Sequence, residues 1–364
     1  MIEKGESLLI GKFVRVPADK LKDFVIKVLE KLNVPREDAE ITADVLVRAD
    51  LRGIESHGVA RLRRYVDGIK NGVVKTKPNI RIVLETPVSA LVDGDYGLGQ
   101  VIAYKAMKIA IEKAKKNYVG LVGVKNSNHF GIAGYYALMA VEEDMIGLTL
   151  TNTRPLVAPT YGKKKVIGTN PIALAVPTKG EPFVLDMATS VAPSGKLEVA
   201  KRLGEEVPEG WGIDPEGKIT RDPDMISKGA LLPLGGLGEE LGGHKGYGLS
   251  MAVDILSGIL TGANFGPYVG QTQGPTPANV GHFFAAVRVD AFMPVEEFKE
   301  RMSKYIEILK KTEKIPGAEE IYIPGEKSAF TEKVRKEKGV ALDLKTVDML
   351  KKTAEELGVP FDLA

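Results

Sequence analysis

The residues with the strongest chemical character sit in two turns, Ser56-His57-Gly58 and Asn128-His129-Phe130-Gly131. An imidazole set among Ser, Asn and Gly where one element hands over to another is placed to move a proton near neutral pH. Arg61 follows His57 by one helical turn, so both can face the same side. A guanidinium grips a carboxylate through two parallel hydrogen bonds. If the two turns meet in the fold, they form an acid/base site around a small anionic substrate. Ser56 also reads as the N-cap of the helix that follows. His57 would then lie in its first turn, where the positive end of a helix lowers an imidazole pKa and attracts anions. Arg63 and Arg64 read as ordinary surface charges.

Other chemistries find less support. The four histidines, His57, His129, His244 and His282, show no HxxxH or HExxH spacing, so no resident metal is expected. His282 lies inside a strand and reads as packed. The absence of cysteine excludes disulfides, thiolate metal sites and a cysteine nucleophile. Ser127 and Ser194 lack the Gly-x-Ser-x-Gly elbow of acyl transfer. Ser194-Gly195-Lys196 lacks the upstream glycine of a phosphate loop, and the Gly-x-Gly-x-x-Gly dinucleotide fingerprint is missing. Gly246-Tyr247-Gly248 comes nearest, so a nicotinamide enzyme with this sequence would not hold its cofactor in the Rossmann manner.

With 364 residues, 44% hydrophobic and 27% charged, the chain has the composition of a soluble globular protein. A net charge of +2 points to neither a nucleic-acid nor a membrane surface. Met1 to Val16 contains no leader-like apolar core, and no apolar run reaches membrane-spanning length, so a cytoplasmic location is expected. Only three glutamines occur, and Lys and Glu dominate the polar residues, a bias that suits a hot environment.

The elements that position the two turns follow from periodicity. Residues 17–33 and 35–51 read as helices, the first opened by Pro17, and a basic third helix covers 59–70. From residue 80 the pattern becomes mixed. Strands are expected at 80–84, 88–92, 119–124, 146–152, 172–176, 183–186 and 282–289. Helices are expected at 100–117, 132–144, 242–260 and 294–311. Residues 204–243 read as loops with little core, and 321–326 as a strand and turn. The tail, 328–358, is helical apart from a short piece at 340–342. The expected fold class is α/β, with a mixed sheet flanked by helices. Segments 1–80 and 316–364 would form a helical unit, and 81–315 a core that binds cofactor and substrate.

Six motifs occur in one order: Ser56-His57-Gly58-x-x-Arg61, Asn128-His129-Phe130-Gly131, Gly168-Thr169-Asn170-Pro171, Asp186-Met187-Ala188-Thr189-Ser190, Gly243-His244-Lys245-Gly246 and Ile323-Pro324-Gly325-Glu326. Together they resemble the malate/L-lactate dehydrogenase family of the second type. Its relatives include sulfolactate and ureidoglycolate dehydrogenases, diketogulonate reductase and piperideine-carboxylate reductase. Each motif alone is weak, while six in sequence, over about residues 17 to 330, are specific.

The resemblance implies a homodimeric oxidoreductase using NAD or NADP, with a non-Rossmann cofactor domain and an active site near the dimer interface. It assigns the proton donor to His57, grouped in some members with Ser56 and Asp186, and in others to His129. Arg61 matches the arginine that holds the substrate carboxylate, and Asn128 belongs to the substrate turn. Cofactor positions match Thr153, the Asp186, Met187, Ala188, Thr189 and Ser190 turn, Lys245, Gly246, Pro324, Gly325 and Glu326. The expected activity is that of a malate dehydrogenase. L-lactate or sulfolactate dehydrogenase and imino-acid reductase are alternatives within the family. A metal-dependent lyase or hydrolase using His57, His129 and Asp186, or a non-catalytic binding protein, are alternatives outside it.

Overall fold

The computed structural model describes residues 13–363. The reading of Met1 to Val16 as lacking a leader-like core therefore falls, for its first twelve residues, outside the described residues.

Two amphipathic helices open this part of the chain, α1 (Ala18–Lys31) and α2 (Arg36–Leu51), each preceded by a proline. Leu21, Phe24, Val25, Val28 and Leu29 recur at helical spacing on α1, and all are buried. The shorter α3 (Leu62–Lys70) follows. Strand β1 (Phe13–Val16) pairs antiparallel with β12 (Val340–Asp343), with Val16 opposite Val340. The last helix, α11 (Leu344–Leu357), is capped by Asp343, whose carboxylate accepts from the Thr346 N–H at 3.0 Å. One apolar core joins these elements through Leu46, Leu62, Tyr65, Val340 and Leu350.

The middle of the chain builds a seven-stranded sheet. Its strands are β2 (Arg81–Glu85), β3 (Ser89–Asp93), β4 (Val119–Ser127), β5 (Met145–Thr151), β6 (Ile172–Val176), β7 (Phe183–Met187) and β11 (Val280–Arg288). The order is β2-β3-β4-β11-β5-β6-β7. Only β3 and β4 run parallel, joined by the crossover helix α4 (Gly99–Asn117). Helices α4 and α5 (Ala133–Val141) pack on this sheet, over Val92, Met107, Val122, Tyr136 and Phe284. Helix α8 (Gly243–Asp254) and the wide π-type turn after it, Ile255–Ile259, also lie against the sheet. There β11 can carry only glycine, because a Cβ at Gly281 would lie 1.8 Å from the Ser257 carbonyl oxygen. The architecture is the mixed sheet flanked by helices that the sequence predicts.

Two stretches differ from expectation. Residues 204–243 are not coreless. After α6 (Ser194–Leu203), the two-residue strands β8 (Gly212–Ile213), β9 (Ile219–Thr220) and β10 (Ala230–Leu231) pair, with helix α7 (Pro223–Lys228) beside them. Ile213, Ile226 and Leu231 are buried there in small clusters of their own. Strands this short have no periodicity to read. The 321–326 stretch makes a turn but joins no ladder. Helices α9 (Val295–Lys310) and α10 (Glu326–Lys338) flank it.

Candidate active site

The His57 turn is held from beneath. Helix α3 begins later than expected, and two single tight turns, Glu55–His57 and Val59–Arg61, precede it. Gly58 joins them where no side chain fits, since a Cβ would stand 1.9 Å from Asp50 Oδ1. Asp50 is buried near the end of α2, and its Oδ2 accepts from the Val59 N–H at 2.8 Å. Burial pushes the Asp50 carboxyl up to about 8. Arg335 of α10 donates to the Asp50 carbonyl and pairs with Glu55 at 2.6 Å. Ser56 therefore does not cap α3: its hydroxyl lies 2.9 Å from His57 Nδ1 instead. The His57 imidazole is held down to about 3, by burial first and then by the charges of Arg61 and Arg64. His57 lies in the tight turn ahead of α3 and not in the first turn of that helix, which corrects the placement expected from sequence.

The second turn continues from β4, which runs on through Ser127. Asn128 is fully buried, and its amide nitrogen donates to the carbonyls of Tyr96 at 3.2 Å and Gly97 at 2.9 Å. The His129 N–H donates to Thr272 Oγ1 at 3.1 Å. Its Nδ1 stands 2.7 Å from the Tyr65 hydroxyl and receives the Gly131 N–H at 3.4 Å. The rings of His57 and His129 stack with centroids 5.5 Å apart and planes 17° from parallel. Burial, then Arg64, then His57, hold His129 well below its ordinary pKa. Beneath this turn Phe130 stacks on the buried His282, centroids 4.6 Å apart. His282 reaches Thr151 Oγ1 through Nδ1 and Ser127 Oγ through Nε2, each at 2.7 Å.

A cavity of about 540 Å³ opens over the two imidazoles. Of the residues singled out by sequence, it gathers Ser56, His57, Arg61, His129 and Thr153, and from the end of β7 it adds Asp186, Met187, Ala188 and Ser190. The Arg61 Nε donates to the Ser56 carbonyl at 2.5 Å, and its guanidinium lies 3.4 Å from Glu198 on α6. Asp186 Oδ2 accepts from the Gly134 N–H at 2.7 Å, at the start of α5 and just past the His129 turn. Burial pushes that carboxyl up to about 6.

The other singled-out residues stand outside the lining. Asn128 anchors its turn, as above. The Thr189 hydroxyl donates to the carbonyls of Thr169 and Asn170. Lys245 is exposed in the first turn of α8, where Gly246 abuts Leu234, a residue of the cavity wall. The Pro324 carbonyl accepts from the Val184 N–H at 3.0 Å, which sets the Pro324-Gly325 turn beside β7. Glu326 accepts from the Ile323 N–H at 2.9 Å and pairs with Lys310 at 2.7 Å.

Sequence reasoning missed several wall residues. Arg64 is no surface charge: it lines the cavity, half-buried, with Arg154. Tyr65 and Thr272 hold His129. The one signal available was spacing, since Arg64 follows Arg61 by three residues and shares its helical face. Among the described residues, no three His, Asp or Glu side chains gather as a metal-holding group.

Two imidazoles and several guanidiniums around one cleft, on a mixed α/β frame, are the groups an acid/base enzyme uses on an anionic substrate. The sequence profile of the malate/L-lactate dehydrogenase family matches residues 16–351. A malate dehydrogenase of Pyrococcus abyssi is 57% identical over 360 residues, covering 99% of each chain. The solved malate dehydrogenase of Pyrococcus horikoshii superposes with a TM-score of 0.91 at 53% identity, covering 98% of this chain and 99% of that one. The sulfolactate dehydrogenase of Methanocaldococcus jannaschii gives 0.88 at 44%, covering 95% and 98%. The chain belongs to the malate/L-lactate dehydrogenase family, and it is a dehydrogenase.

Proposed function

We propose that this protein interconverts small 2-hydroxy and 2-keto acids with a nicotinamide cofactor, malate and oxaloacetate foremost. The observation that carries this reading is the stacked His57–His129 pair sharing one cavity with Arg61. The names of the relatives support malate first and sulfolactate next. NAD or NADP fits the residues present. The cavity falls within the roughly 300–1,000 Å³ usual for ligand clefts. Thr153, Asp186 and Ser190 lie along it, and Lys245 and the Pro324–Glu326 turn beside it. When bound, the nicotinamide ring takes or gives the hydride.

The chain's own groups do the rest. Arg61 holds the C1 carboxylate and so orients C2. His129 Nδ1 faces two donors, so its neutral ring carries the proton on Nε2 and donates to the substrate oxygen. His57 can give its Nδ1 proton to Ser56 Oγ, which leaves Nε2 free to take the hydroxyl proton during oxidation. In reduction the arriving anion raises the imidazole pKa and stabilises the charged ring that returns this proton. Asp186 fixes the start of α5 and thereby the His129 turn. In our reading residues 81–315 supply His129, Thr153 and Asp186, while the helical unit formed by 13–80 and 316–363 brings His57 and Arg61 to the same cavity.

A homodimer is supported by an exposed apolar row along α8 and beyond: Leu249, Ile255, Ile259, Leu260 and Tyr268. A hot habitat is supported by ion pairs shared among elements, such as Glu332 with Arg48, Arg52 and Lys336. A nicotinamide enzyme works where its cofactor pool is, which favours the cytoplasm. No helix among the described residues is long and apolar enough to cross a membrane.

Nicotinamide absorbance followed with malate, L-lactate and sulfolactate, using NAD and NADP, tests the reading. No change with any of them would overturn it. His57→Ala or His129→Ala should lower kcat by about 10²–10⁴-fold with little change in cofactor affinity. Lys245→Ala should do the reverse, weakening cofactor binding with kcat nearly kept.

A further inference from the structure

Most of the described arginines that are buried or half-buried have a carboxylate. Arg52 pairs with Glu332 at 3.0 Å, Arg335 with Glu55, and Arg63 with Asp67 at 2.8 Å. Arg64 and Arg154 are different. Both line the cavity half-buried, and neither makes a salt bridge or a side-chain hydrogen bond with a described residue. The carboxylate whose charge reaches both is Glu198, which stands largely exposed and lies nearest Arg61. Burial holds both guanidiniums below their ordinary pKa, with Arg61 repelling each. Desolvated cations with no partner are costly to keep, and a cavity that keeps two has an anion to receive.

Arg61 already suffices for one carboxylate. We infer that Arg64 and Arg154 form a second anion clamp, which holds the distal acid group of a dianionic 2-keto or 2-hydroxy acid and selects it over monoacids. This rests on the dehydrogenase reading above. The clamp would take a carboxylate or a sulfonate, since a guanidinium fork matches two oxygens of either. The competing occupant is a cofactor phosphate. Arg64 is, after burial, the largest influence on His129, so it sits beside the acid/base pair. The phosphates of a dinucleotide are separated from its reacting ring by a ribose, whereas the distal acid of oxaloacetate is one carbon from the keto group.

The test compares oxaloacetate with pyruvate, which lacks the second acid, at saturating reduced cofactor. Arg64→Gln and Arg154→Gln should each lower kcat/KM for oxaloacetate by roughly 10- to 100-fold, mainly through KM. The loss on pyruvate should be far smaller, so that the preference for the diacid collapses. Arg154→Lys should keep part of that preference, because lysine retains the charge without the fork. Equal losses on both acids, or a rise confined to the cofactor KM, would overturn the clamp. Calorimetric titration with succinate and propionate reads the same point without turnover. The wild type should bind the diacid more tightly, and each Gln variant should erase the difference. Equal binding of the two by the wild type sinks the clamp, whereas tighter succinate binding without turnover on either keto acid sinks only the dehydrogenase reading.

Discussion

Tyr65 is buried in α3, and its phenol meets His129 across 64 residues of sequence. Burial pushes that phenol up to about 12, so it stays protonated throughout the working range and donates to the imidazole. Tyr65→Phe keeps the packing and removes one donor. Turnover should fall by up to about tenfold, and the pH dependence of kcat should move because His129 is free to change tautomer. A steady-state pH series checks this; an unchanged profile would leave Tyr65 a packing residue. His57 and His129 were legible as cavity residues because their types stood out inside turns, Arg61 through its spacing from His57, and Asp186 only through the family resemblance. Arg64, Arg154 and Tyr65 were not, since their meaning lies in a missing counter-charge or a contact that only the fold creates. The buried Asn128 was legible as a motif, but its side chain spends itself on two backbone carbonyls.

Among the elements, β4, β5 and β11 are stitched together by His282, which reaches a hydroxyl on each neighbouring strand. His282→Ala leaves Ser127 and Thr151 without that partner and a gap under Phe130. It should cost about 2–4 kcal/mol near pH 7 by denaturant unfolding. The pH dependence follows from sign. The folded pKa of His282, about 3, lies below the unfolded value, so its contribution is present above pH 6.5 and is lost as pH falls toward 3. The stability difference between wild type and variant should therefore shrink in that window, by up to about 1.4 kcal/mol per pH unit. The long helices and the central strands were legible from their periodicity. The β8–β10 unit was not, because its strands are two residues each and their burial depends on a neighbouring helix.

At the level of the whole molecule, the proposed dimer contact is the exposed apolar stretch that follows α8. Leu260 and Tyr268 are 63% and 67% exposed, and Ile255 and Ile259 in the π-type turn are 45% and 55% exposed. Helix α8, which leads into this stretch, has Lys245 and Gly246 in its first turn, with Gly246 against the Leu234 wall of the cavity. Ile255→Glu with Ile259→Glu should convert the proposed homodimer to monomers in sedimentation velocity and lower activity with it. A variant that sediments as the wild type does would move the contact elsewhere. No single residue showed this face in the sequence, because an apolar helix reads the same whether its outer side meets solvent or a second chain.

The near-parallel rings of His57 and His129 also limit how much charge the chamber can store. Two positive imidazoles 5.5 Å apart would repel by about 3 kcal/mol at an effective dielectric of 20. That moves the second protonation below the first. In the proposed reaction the pair would thus carry one proton at a time, with a second admitted only once the first has left.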